Sequence, residues 1–233
     1  LTVEQNRRLT EKLAQVTLAP TGNLVDRVWP DQPAPPMGAV FAQPLDLAGQ
    51  PHADKIAQLA GALTDAKACV ITLPDSIAWL LNIRGSDIPH TPVPHCFAVL
   101  HADARVDLYI AAEKLTGLCD HLGPQVQVCP VEGFLPALAA LEGPVQIDPK
   151  SCPVAVAEAL STVVEGDDPC VLPKARKTEA ELEGARAAHL RDACAMVRFL
   201  AWLDAQPPGS LTEIDVVKRL EAGRPARLGT APW

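Results

Sequence analysis

The chain has 233 residues, of which 48% are apolar, enough to bury a core and too many for wholesale disorder. Its formal net charge is −8 with no Lys/Arg-rich run, so a phosphate backbone is an unfavourable partner and nucleic acid is not expected. No apolar stretch approaches ~20 residues and no basic segment precedes one, which disfavours a membrane span and a secretory leader.

The seven cysteines are odd in number, widely spaced and never arranged as CxxC. Several sit in apolar runs such as "KACVITL". Free thiols in a cytoplasmic protein are expected. Leu1 is not an initiator methionine, and the chain is expected to be a fragment.

The N-terminal "EQNRRLTEKLAQV" spaces Leu9, Leu13 and Val16 as one face of a helix. The proline-rich "WPDQPAPPMG" (29–38) can be neither helix nor central strand and marks a domain boundary. A helix over 52–67 gathers Ile56, Leu59, Ala60 and Leu63, and "ACVITL" follows as a buried strand. "CFAVLHA" and "RVDLYIA" flank Asp103-Ala104 as a hairpin. Weaker strands are expected at "VQVCPV" and "PVQID", with helices at "GFLPALAAL" and "PVAVAEALSTVV". Strands alternating with helices predict an α/β fold, a mixed sheet flanked by helices.

A second boundary falls near "DDPCVLPKARKT", after which Thr178 and Glu181 form a capping box. The helix it opens is expected to pack through Leu182, Ala185, His189, Ala193, Met196, Leu200 and Leu203, and Ser210 with Glu213 caps a second helix. The expected domains are 1–36, 37–172 and 173–233.

No GxGxxG, GxxxxGK[ST], GxSxG or HExxH is present, which removes the cheapest cofactor and hydrolase readings. His90 and His95 share a proline-rich loop without metal-ligand geometry. Glu165, Asp167 and Asp168 read as a solvated turn, and Glu179, Glu181 and Glu183 as dipole-favoured charges at a helix start. One stretch stands apart. "DSIAWLLNIRGSDIPHTPV" (75–93) leaves the carboxyl end of a strand, where ligands gather in α/β sheets. Asp75 is its expected N-cap. Arg84 could fork onto a carboxylate, Asp87 could orient it, and Trp79 offers a flat wall, with His90 beyond. Equally, Arg84 and Asp87 could tie the loop together while Trp79 sits in the core.

This stretch resembles the middle-domain signature of the three-domain Xaa-Pro aminopeptidases of the creatinase, or pita-bread, superfamily. "NLVDRVWPDQPAPP" is similar to the family's first junction and "KARKTEAELEGARAAHLRDACAMVRFLAWLD" to the start of its catalytic domain. The resemblance spans roughly residues 20–222, and the tail "GRPARLGTAPW" departs from it. It implies a creatinase N-terminal-like domain followed by the first helices of a truncated pita-bread domain. It also implies a homodimeric peptidase using two divalent metals, manganese as a rule, to release the residue preceding proline. The family's metal ligands find no match here, so the resemblance implies a chain that is inactive alone and shapes substrate access and pairing. Trp79, Arg84, Asp87 and His90 are then access or dimer-contact residues. The alternative is a catalytically inactive module that binds peptides or protein partners.

Overall fold

The computed structural model describes residues 1–224; most of the divergent tail, 225–233, lies outside them. The described residues pack as two units. The first holds Leu1–Gln43 and Gln50–Arg176, and the second holds Pro44–Gly49 with the residues from Lys177 onward.

In the first unit, helices α1 (Val3–Lys12) and α2 (Leu24–Val28) precede strand β1 (Val40–Ala42). The short α3 (Leu45–Ala48) belongs to the second unit. Next come α4 (His52–Gly61), β2 (Ala68–Ile71), α5 (Pro74–Leu80), β3 (Ile83–Gly85) and the hairpin β4 (Phe97–His101) and β5 (Val106–Tyr109). After them lie α6 (Cys119–Leu122), β6 (Val126–Cys129), α7 (Phe134–Ala139), β7 (Val145–Ile147), α8 (Val154–Glu158), β8 (Val163–Glu165) and α9 (Val171–Ala175). The six-stranded sheet runs β6-β5-β4-β2-β7-β8, and only β4 opposes the other strands. This is the expected mixed α/β sheet, with the hairpin turning at Ala104, whose φ is 66°.

Period-two alternation sorts the strands between two apolar layers. Cys69, Ile71, Ala98, Leu100, Val106 and Leu108 face α4 and α5. Ala68, Val70, Val99, Tyr109, Val145 and Ile147 face α7 and α8. The face expected on α4 is buried as expected, and Lys55 is buried alongside it. At the N-terminus, the Val3 and Glu4 amides donate to Cys152 and Pro149, and Arg7 forks onto Glu165 at the end of β8.

Several local expectations shift. The α5 N-cap is Leu73 rather than Asp75, because Pro74, with no amide proton to satisfy, takes the first helical position. Asp75 instead pairs with Lys174 of α9. The helix expected across "PVAVAEALSTVV" ends at Glu158, and its β-branched end becomes β8. Asp168 does not sit in a solvated turn. It is buried, accepts the Cys170 amide at 2.8 Å, and its own amide donates to Asp148 at 3.1 Å.

The second unit joins α3 to α10 (Glu179–Asp204) and α11 (Glu213–Gly223). Thr178 and Glu181 form the expected capping box. The α11 box uses Thr212 and Asp215 instead of Ser210 and Glu213, because the Ser210 hydroxyl donates back to the Pro207 carbonyl at 2.7 Å. The packed face of α10 is also rotated from the expected one. Ala195 is its one buried residue among the described residues, whereas Leu182, His189 and Leu200 are exposed. Gly184 faces Leu47 of α3 at ordinary van der Waals distance, so the neighbouring helix rather than side-chain hydrophobicity selects the face. Among the described residues no helix is long and apolar enough to cross a membrane.

Candidate functional site: a braced loop after the second strand

The segment 81–95 leaves the C-terminus of α5 and is held at its base by groups distant in sequence. Asn82 sits at φ 49°, a left-handed conformation asparagine tolerates better than most residues. Its carbonyl accepts the Gln43 amide at 2.7 Å and its side-chain amide donates to the Gln50 carbonyl at 2.8 Å. Lys55, buried beneath, donates to the Asn82 side chain at 2.7 Å and the Trp79 carbonyl at 3.0 Å. Its ammonium also lies 4.2 Å from the centre of the Trp79 ring. A buried ammonium is tolerated because each contact supplies electron density.

Strand β3 then pairs antiparallel with β1, setting Arg84 opposite Phe41. A Cβ on Gly85 would lie 2.6 Å from the Pro94 nitrogen, so only glycine lets the two limbs of the loop close. Asp87 locks that closure. Its carboxylate accepts the Gly38 amide at 2.9 Å and the His95 amide at 2.6 Å, and it pairs with Lys114. Both side chains of this pair are buried. Burial alone would push the Asp87 carboxyl up. Hydrogen bonds from Lys114 and the two amides outweigh it and hold the group below the usual aspartate range.

The four residues singled out in the sequence therefore do not converge on one point. Trp79 is core. Arg84 is half-buried and donates to the carbonyls of Ala78 and Ile83 at 3.2 and 2.8 Å. Asp87 lies inside the loop. His90 is exposed at the tip with φ 63°, next to the Ile88–Thr91 bridge. Loop closure and an outward tip are what this arrangement does chemically; nothing in it pairs a nucleophile with a base.

Sequence reasoning missed Lys55 and Lys114 and gave Asn82, though it lies in the polar loop, no role. Lys55 left a readable trace, since it stands four residues before Leu59 on an otherwise apolar face. Lys114 left none, being 27 residues from its partner. Among the described residues no group of three or more His, Cys, Asp or Glu side chains can hold a metal ion. The residues present thus do not fit the two divalent metals the resemblance implies. The thiols are free, and burial pushes Cys96 up to about 12.

With this geometry in place, comparison with known proteins is specific. Residues 31–181 match the model of the creatinase/prolidase N-terminal domain. The chain is 37% identical to the "Probable Xaa-Pro aminopeptidase P" of Aspergillus clavatus, over 85% of this chain and 33% of that protein. Its counterpart in Laccaria bicolor is also 37% identical, over 86% and 33%. The chain spans about a third of the length of these curated relatives. A solved X-prolyl aminopeptidase of Caenorhabditis elegans, described as a cytosolic enzyme with a di-nuclear active site, superposes with a TM-score of 0.84 at 25% identity. That superposition covers 96% of this chain and 39% of the other. The Xaa-Pro dipeptidase of Bacillus anthracis, at 15% identity and a TM-score of 0.56, shares the fold over 74% of this chain and 48% of its own. The chain belongs to the creatinase/prolidase N-terminal domain family.

Proposed function

We propose that this chain is part of a metal-dependent Xaa-Pro aminopeptidase that acts in the cytoplasm on peptides with proline in second position. Its similarity to the aminopeptidases of two fungi supports the activity. The di-nuclear active site described for the nematode enzyme supports two divalent metals, manganese being the expected ion. The residues described here carry no chemistry of their own in this reading. They shape substrate access and subunit pairing.

The observation that carries this division of labour is the loop 81–95, whose base is locked inside the domain while His90 stands outward. Trp79, Arg84 and Asp87 hold the frame in which His90 meets a peptide or a second subunit. Arg84 is always charged, and it is a poor general base.

The test is release of the N-terminal residue from a peptide beginning Xaa-Pro, in the presence of manganese. It compares this chain with the longer protein obtained by extending the reading frame. Release by the longer protein and none by the chain alone is expected. Release by this chain alone overturns the non-catalytic assignment. Peptide binding without release by the longer protein overturns the enzyme and favours an inactive creatinase-fold module.

A further inference from the structure

Behind the base of the loop lies a pair of histidines that the aminopeptidase reading does not use. The rings of His52, at the start of α4, and His121, in α6, have centres 4.9 Å apart and are tilted by 34°. His52 Nε2 lies 3.2 Å from the Leu122 carbonyl oxygen, and His121 Nε2 lies 3.0 Å from that of Leu81. A carbonyl can only accept, so each Nε2 carries the proton. Each neutral ring therefore leaves Nδ1 as its basic site, and further protonation makes the ring a cation.

We infer that His52 and His121 form an acid-sensitive latch that holds the end of α5, and with it the base of the loop 81–95, only while the pair is not doubly charged. Two imidazolium rings at this separation repel each other across a half-buried contact. The hydrogen bond to the Leu122 carbonyl favours the charged His52 ring, but it is outweighed. The charged groups acting on His52 are His121 from α6 and Lys55 one turn along α4, both cationic when charged. α5 contributes the Leu81 carbonyl, and Asp54 and Asp120, the carboxylates of α4 and α6, bond to neither ring. Desolvation, with lesser contributions from His121 and Lys55, holds His52 below the ordinary histidine value of 6.5.

The sign follows. Above 6.5 both the folded and unfolded chains carry His52 neutral, and the latch is intact. As pH falls below that value the unfolded chain takes up a proton that the folded chain resists, so stability is lost down to the lower folded value. Loss of the His121 bond frees the Leu81 carbonyl, which adjoins Asn82 and its contacts with Lys55, Gln43 and Gln50. The effect of acid therefore enters at the root of the loop, and it stands whether or not the longer protein is a peptidase.

The test is made on this chain by following the ring carbons of His52 and His121 by NMR, together with amide exchange at Leu81–Ile83. The expected result is a His52 ring that titrates below 6.5. Exchange at those amides, corrected for its intrinsic pH dependence, should be faster at pH 5 than at pH 7.5, since His52 is held below its ordinary value. His121→Gln keeps a donor for the Leu81 carbonyl and removes one charge, so its exchange should become less acid-sensitive. A His52 ring titrating at or above the ordinary value overturns the latch, as does undiminished sensitivity in His121→Gln. If that variant does not fold, the His52 titration in the unaltered chain decides the matter.

Discussion

The sheet unit and the long helix α10 are both rich in apolar residues, yet they bury them very differently. Leu80, Leu100 and Leu108 are shut from solvent between the sheet and its helices, whereas Leu190, Val197 and Leu200 of α10 stand in water. The sheet unit closes its two apolar layers with its own helices. Among the described residues α10 has only α3 and α11 beside it in its unit, and a 26-residue helix cannot enclose a core with those alone. Helical periodicity reveals that a face will pack, but the neighbour chooses which face.

That contrast can be attacked by substitution, beginning inside the sheet unit. Lys114→Ala leaves the Asp87 carboxylate buried without its cation, and a loss of about 3–5 kcal/mol is expected in urea unfolding. Asp87→Asn with Lys114→Met should recover much of it; failure to do so would show that the pair is not the lock. Leu108→Ala opens a cavity in the apolar layer, with an expected loss of about 2–5 kcal/mol. Thr178→Ala removes the α10 cap and should lower helix content near its start at a cost of about 1 kcal/mol. Leu200→Ala, on the exposed face of α10, should change stability by no more than about 0.5 kcal/mol. A loss comparable with that of Leu108→Ala would mean that the exposed face is covered in solution.

Acid offers a gentler probe of the same lock. Because the Asp87 carboxyl is held below its ordinary value of 3.8, its contribution is fully present above that value and is lost as pH falls through the lower folded one. Asp87→Asn should flatten the unfolding midpoint over that range. An unchanged acid dependence would assign it to other carboxylates.

Much of the fold was legible because the signals were local. The hairpin around Asp103-Ala104, the apolar face of α4 and the Thr178 capping box each depend on residues within a few positions of one another. β1 and β3 were not, since three-residue strands carry too little pattern and their pairing is set by the close approach at Gly38 and Gly85. The candidate site was half legible. The stretch 75–93 was the right place to look, but the division between a buried Asp87 and an exposed His90 depends on Lys114 and on amides at Gly38 and His95. The α10 face was misplaced because the neighbour that selects it, Leu47 of α3 beside Gly184, is distant in sequence.

The central claim is that the base of the loop is framework and its tip is functional. Steady-state kinetics of His90→Ala in the longer protein, read beside its thermal midpoint, tests this most directly. The account predicts a KM raised by roughly fivefold or more, or a weakened dimer by a similar factor, as loss of about 1 kcal/mol or more of hydrogen bonding entails, with the midpoint unchanged. Unaltered KM and dimerisation with a lowered midpoint would contradict it, and would make His90 one more brace of its own loop.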